Sequence, residues 1–128
     1  MRKLLNLILV LFIAIFCCKS DAMTFEEAHK LSDKTPMIVL VYAQWADGYQ
    51  TYLTTFKSLK ATYLNQYNFV ELDIASKDAK FFNTQNHIYP NLPYVLMFKE
   101  GGRITRFIPR DCAKEYSCLD NKLKSFLQ

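Results

Sequence analysis

Apolar residues along this chain switch repeatedly between helical spacing and unbroken runs, and the switches mark its elements. In "MTFEEAHKLSDKTP", Phe25, Ala28 and Leu31 fall on one helical face, and Thr24 with Glu27 three residues on makes a capping-box pattern. Pro36 closes that unit, and "MIVLVYA" follows as a continuous apolar run rich in β-branched residues, the pattern of a strand buried on both faces. From Tyr49 to Asn65, positions 49, 52, 53, 56, 59 and 63 recur at helical spacing. "NFVELDI" reads as a second strand, and "SKDAKFFNTQNH" as a short helix started by Ser76 or Asp78. Two apolar runs in "PYVLMFKEGGRITRFIP" flank Gly101 and Gly102, which predicts a β-hairpin. In "SCLDNKLKSFLQ", Leu119, Leu123, Phe126 and Leu127 share one face of a last helix, with Ser117 and Asp120 as its start signal.

The order is therefore α-β-α-β-α-β-β-α. Strands alternating with helices predict parallel β-α-β units, and the closing hairpin adds one antiparallel strand. An α/β domain follows, a central mixed sheet of about four strands with helices on both faces. No repeat, linker or low-complexity tract divides the chain after residue 22.

Composition changes the picture mainly at the N-terminus. "MRKLLNLILVLFIAIFCCKSDA" has Arg2 and Lys3, then an apolar stretch from Leu4 to Cys18 broken only by Asn6. That stretch is shorter than the ~20 residues a spanning helix needs, and Ser20-Asp21-Ala22 offers small residues where a signal peptidase reads. Residues 1–22 are expected to be a signal peptide and residues 23–128 the folded domain. An uncleaved anchor and a lipoprotein signal modified at Cys17 or Cys18 stay open as alternatives. Each version places the domain outside the cytoplasm, periplasmic or secreted, with any membrane link confined to this segment. Removing Arg2, Lys3, Lys19 and Asp21 with that segment leaves 13 Lys and Arg against 11 Asp and Glu, a balance of +2. With no dense basic cluster, a nucleic-acid partner is not expected.

Three local motifs, in order, resemble the thioredoxin family. "VLVYAQWADGYQ" is similar to that family's active-site segment, an apolar strand, Ala-x-Trp and then a Cys-Gly-Pro-Cys turn opening a helix. "NLPYVLMFKEGGRI" resembles its second hallmark, Ile-Pro-Thr before an apolar strand, Phe-Lys and a glycine turn, and "LDNKLKSFL" resembles its final helix. The resemblance spans residues 24–127 and implies a thioredoxin-like three-layer sandwich with a cis peptide bond before Pro93, beside the turn that holds Trp45. It also implies departures. The two family cysteines fall on Ala46 and Tyr49, and the acidic residue buried beneath them falls on Leu40. A methyl group and a phenol supply neither the activated thiolate nor the resolving thiol, so dithiol exchange at this turn is excluded. One extra residue in "HIYPNLP" is expected to reshape the loop before Pro93.

Other candidate chemistry is sparse. Asp47 reads as a cap for the helix that follows, there being no His or second carboxylate nearby in sequence for acid-base work. Cys112 and Cys118, six apart, suggest a disulfide before a metal site in an oxidising compartment. In one continuous helix they would lie about 9 Å apart along the axis, so a bridge requires the helix to start after Cys112. His29 and His87 have no partner at metal-ligand spacing, and Asp73 and Asp78 read as loop and cap residues, so neither a metal site nor a cofactor is expected.

The aromatics add more. If the resemblance holds, Trp45, Asp47, Tyr49, Leu92 and Pro93 share one surface, with Tyr89 at its edge, and such a face pairs with an extended peptide beside the cis-proline. Trp45 and Tyr49 are then contact anchors, or they pack on each other and fill the space left by the cysteines. The leading expectation is an exported, redox-inactive domain that binds a polypeptide partner through this face, not an enzyme. A thiol-disulfide oxidoreductase working through Cys112 and Cys118 and a purely structural envelope protein are the alternatives.

Overall fold

The computed structural model describes residues 23–85 and 91–128, so the signal segment, Cys17, Cys18, His87, Tyr89 and most of the "HIYPNLP" loop lie outside the described residues. In chain order the elements are α1 (Phe25–Lys30), β1 (Met37–Tyr42), α2 (Tyr49–Thr62), β2 (Asn68–Asp73), α3 (Ala79–Gln85), β3 (Tyr94–Lys99), β4 (Ile104–Ile108), α4 (Arg110–Ala113) and α5 (Tyr116–Phe126). The strands form one mixed sheet in the order β2-β1-β3-β4. β1 and β2 are parallel, while β3 is antiparallel to both β1 and β4. The reversed strand is thus β3. The α3 connection from β2 does not complete the parallel unit that strand-helix alternation predicts, and β4 turns back into the direction of β1.

Period-two alternation on the two central strands sorts the core into two halves. Ile38 and Leu40 of β1 join Val95 and Met97 of β3 on the face covered by α2, α4 and α5, where Phe56, Leu59, Leu119, Leu123 and Phe126 pack. Met37, Val39 and Val41 join Tyr94, Leu96 and Phe98 on the opposite face, beneath Phe25 and Ala28 of α1 and Phe82 of α3. Two covered faces explain why "MIVLVY" and "YVLMFK" can be apolar nearly throughout. Each fully buried Leu or Phe contributes about 1.5–3 kcal/mol of transfer free energy. Leu31 and Leu127, expected on the buried helical faces, are instead C-caps and 45% and 40% exposed.

The caps differ from the sequence pattern in instructive ways. Thr24 Oγ1 accepts from the Glu27 N–H at 3.1 Å, as the capping box predicts. Asp78, expected to start α3, accepts instead from the Phe25 N–H at 2.8 Å and so ties α3 to the first turn of α1. The Ser76 hydroxyl donates to the Asp73 carbonyl at 2.6 Å. Asp73 takes the Ala75 N–H at 2.9 Å, a local Asx turn. On the other face, the Tyr67 hydroxyl donates to the Leu123 carbonyl at 2.7 Å, and the Tyr63 hydroxyl donates to Asp120, fastening the end of α2 to α5. Asp120 therefore pairs with Tyr63 at the end of α2 and with Lys124 rather than capping its own helix.

Helix α5 begins at Tyr116 with Glu115 as N-cap, so Ser117 sits inside its first turn and does not cap it. The break at Lys114 and Glu115 separates α4 from α5, and Cys112 and Cys118, one on each, form a disulfide with their Cα atoms 5.2 Å apart. The requirement that the helix start after Cys112 is met by this break. Cys112 is only 9% exposed and belongs to the core beneath α2.

Candidate functional site

Register brings the chain's turns to one end of the sheet. Val41 pairs with Tyr94, so the residues that leave β1, Ala43–Gly48, and those that lead into β3, Leu92–Pro93, emerge side by side. Val95 pairs with Ile108, which delivers Pro109 and Arg110 to that same end. The Leu92–Pro93 peptide bond is cis, as the motif around it implies, and Asn91 before it holds a left-handed backbone at φ 67. Asparagine is among the few non-glycine residues that tolerate that region.

The turn itself is built from backbone. The Ala46 N–H donates to the Ala43 carbonyl at 3.0 Å, and Gly48, with φ 70, is the N-cap of α2. A Cβ at Gly48 would meet nothing within 4 Å, so its glycine answers to the left-handed backbone alone. No side-chain oxygen caps α2, which corrects the expectation for Asp47: it stands one residue before the N-cap, exposed. A glycine cap already sets the turn, so the carboxylate is left outside it.

Trp45 is 75% exposed, more than any other large apolar side chain among the described residues. Ala46 beside it is buried. Tyr49 stacks on Tyr42, with ring centroids 5.8 Å apart and planes 5° from parallel. The alternative in which Trp45 and Tyr49 cover one another is therefore replaced by a different pair. Burial, with Asp73 and Glu71 nearby, pushes the Tyr42 phenol up from its usual range. Leu92 is half-buried against the core, and Pro93 is buried. Leu40, beneath the sheet end, is fully buried among Ile38, Phe56 and Met97.

A residue that sequence reasoning missed completes this end. Arg110, at the start of α4, donates from Nε to the Tyr52 hydroxyl at 3.4 Å, and Asp47 and Asp111 act on its guanidinium through space. An isolated arginine after a strand carries no pattern of its own. The only available signal was the thioredoxin resemblance, which brings the loop after the last strand toward the turn. His29 packs among Phe25, Phe81 and Phe98, an aromatic setting rather than a ligand set. Among the described residues no group of three or more His, Cys, Asp or Glu could hold a metal ion. None of the described helices is long and apolar enough to cross a membrane.

Solved structures similar to this chain include thioredoxin domains. Thioredoxin f from spinach chloroplast matches with a TM-score of 0.63 and 19% identity, over 80% of this chain and 85% of that one. A chain from the crystal structure of a ferredoxin:thioredoxin reductase and thioredoxin f2 complex gives 0.65 and 17%, over 81% and 88%. The Trx4 domain of ERdj5 gives 0.57 and 15%, over 74% and 82%. No protein-family model matches the sequence, and comparison with curated proteins gives no match. The chain has a thioredoxin-like fold: a four-stranded mixed sheet between helical layers, with a cis-proline at the end where the first strand runs into its helix.

Proposed function

We propose that this is an exported, redox-inactive thioredoxin-like domain that binds a polypeptide partner through the face made by Trp45, Asp47, Tyr49, Leu92 and Pro93. The observation that carries the reading is Trp45, 75% exposed on a turn that emerges beside the cis Leu92–Pro93 bond. A tryptophan offers up to about 250 Å² of contact area. Covering the exposed part removes roughly 190 Å² from water, a gain of about 5 kcal/mol before ordering costs. Extended peptides add to such surfaces through backbone pairing, with aromatic side chains as anchors.

Redox inactivity is supported by the side chains at the turn. Ala46 and Tyr49 stand where the resembling motif has its cysteines, and Leu40 stands where it has a buried acid. Export is supported by the signal-like pattern of residues 1–22 and by the Cys112–Cys118 bridge, which suits an oxidising compartment. In the alternative oxidoreductase reading, the half-buried Cys118 and not the buried Cys112 would be the sulfur open to attack, and the double cysteine variant tests it.

The test is capture of envelope proteins by wild-type chain and by Trp45→Ala and Tyr49→Ala variants of equal thermal stability. Loss of a central aromatic anchor weakens binding by about thirtyfold. Capture that is unchanged in both variants would contradict the proposal and favour the purely structural reading.

A further inference from the structure

A cleft of about 490 Å³ opens where β4 runs into α4, at the same end of the sheet as the face described above. Its lining includes Asn91, which precedes the cis Leu92–Pro93 bond, and Tyr52 from the first turn of α2. Phe107 and Pro109 give it an apolar wall, while Arg110 and Lys114 bring two cations and Asp111 one carboxylate. Phe107 is held against the ring of Tyr94, with centroids 5.4 Å apart, and is still 39% exposed.

The state of Arg110 is what gives the cleft a preference. Its Nε edge is engaged by the Tyr52 hydroxyl, and Tyr52 is itself only 4% exposed, so the guanidinium is anchored at one edge. Asp47 and Asp111 act on it through space, yet the ion pairs among the described residues join other groups, and neither carboxylate closes onto Arg110 or Lys114. A guanidinium fork receives a carboxylate through two parallel N–H donors, a geometry no neutral amide reproduces.

Resting on the docking reading above, we propose that this cleft selects acidic polypeptides: a Glu or Asp of the docked segment enters it and is received by Arg110 and Lys114. The methylenes of such a side chain lie against Phe107 and Pro109, and its backbone continues toward Pro93 and Trp45. Arg110 and Lys114 are then specificity residues, while Trp45 supplies anchoring that does not depend on charge.

Random short peptides displayed against the immobilised full chain, followed by anisotropy titration of the selected sequences, test this. The expected result is enrichment of Glu or Asp at one position, and a loss of about fivefold in affinity when that residue is changed to Gln. This loss should vanish on Arg110→Gln, shrink on Lys114→Gln, and fall with added salt. Asp47→Asn, which removes a competing carboxylate, should tighten the acidic peptides. Selected peptides without acidic enrichment, or a Glu-to-Gln loss that persists undiminished in Arg110→Gln, overturn the inference. If those same peptides still lose affinity on Trp45→Ala, the docking reading survives; if no peptide is selected at all, both fall.

Discussion

Replacing Cys112 and Cys118 together by alanine removes a bridge with a sequence separation of six and opens the junction between α4 and α5. The chain-entropy relation for a loop of that size gives about 7 cal/mol/K, or about 2 kcal/mol at 25 °C. Cys112 is packed in the core with Ala113 and Leu119, so losing its sulfur adds a packing contribution of about 1 kcal/mol. The sum, about 3 kcal/mol, is a large share of the stability of a small domain. With a urea slope of about 1.5 kcal/mol/M, the unfolding midpoint should fall by about 2 M. Equilibrium urea unfolding followed by far-ultraviolet circular dichroism reads this directly, for wild type, the double variant and wild type under dithiothreitol. A midpoint that moves by less than about 0.5 M would refute the reasoning, since even the entropy contribution alone exceeds that. Equally damaging would be turnover of a model disulfide by the wild-type chain that the double variant loses.

Three further expectations rest on separate parts of the molecule. Gly102 has φ 89 and a Cβ there would stand 2.8 Å from His29 Nε2, so Gly102→Ala should cost at least about 1–2 kcal/mol by thermal or urea unfolding; a neutral result would show that the hairpin turn adapts freely. Burial and the hydrogen bond to Asp120 push the Tyr63 phenol up to about 12. A folded pKa above the unfolded one means its stabilisation is complete below about pH 10 and is lost as pH rises toward 12, so Tyr63→Phe should flatten the alkaline stability profile. Trp45 is the single tryptophan of the chain and is 75% exposed, so emission of the folded protein should be red-shifted and readily quenched by acrylamide. Protected, blue-shifted emission would remove the exposed anchor.

Much of the fold is legible in the sequence because two strands are buried on both faces. "MIVLVY" and "YVLMFK" have almost no polar position, and helices with Tyr52, Phe56 and Leu59, or Leu119, Leu123 and Phe126, at helical spacing must cover them. Strand direction was not legible in the same way: apolar runs do not encode orientation, and β3 runs opposite to the direction that alternation with helices suggests. Caps failed where a carboxylate found a better partner far along the chain. Asp78 went to Phe25 and Asp120 to Tyr63, at separations no local pattern encodes. At the site, Trp45 and Pro93 could be placed because a whole motif surrounds each. Asp47 was misread because Gly48 can supply a left-handed cap that needs no side chain. Arg110 carries no local pattern, since its hydrogen bond to Tyr52 joins residues 58 apart, and only the resemblance brings its loop toward the turn.

The central claim, that a polypeptide docks on the turn carrying Trp45, is tested most directly by a photo-crosslinking amino acid at the exposed position 44, which leaves Trp45 in place, and, in a second chain, at position 64. Leu64 is 62% exposed and lies beyond the far end of α2, about 20 Å along the helix from the turn. The account predicts discrete adducts to a polypeptide from position 44, reduced by Trp45→Ala or Tyr49→Ala, and none of the same species from position 64. Equal labelling from both positions, or labelling from position 64 alone, would contradict it.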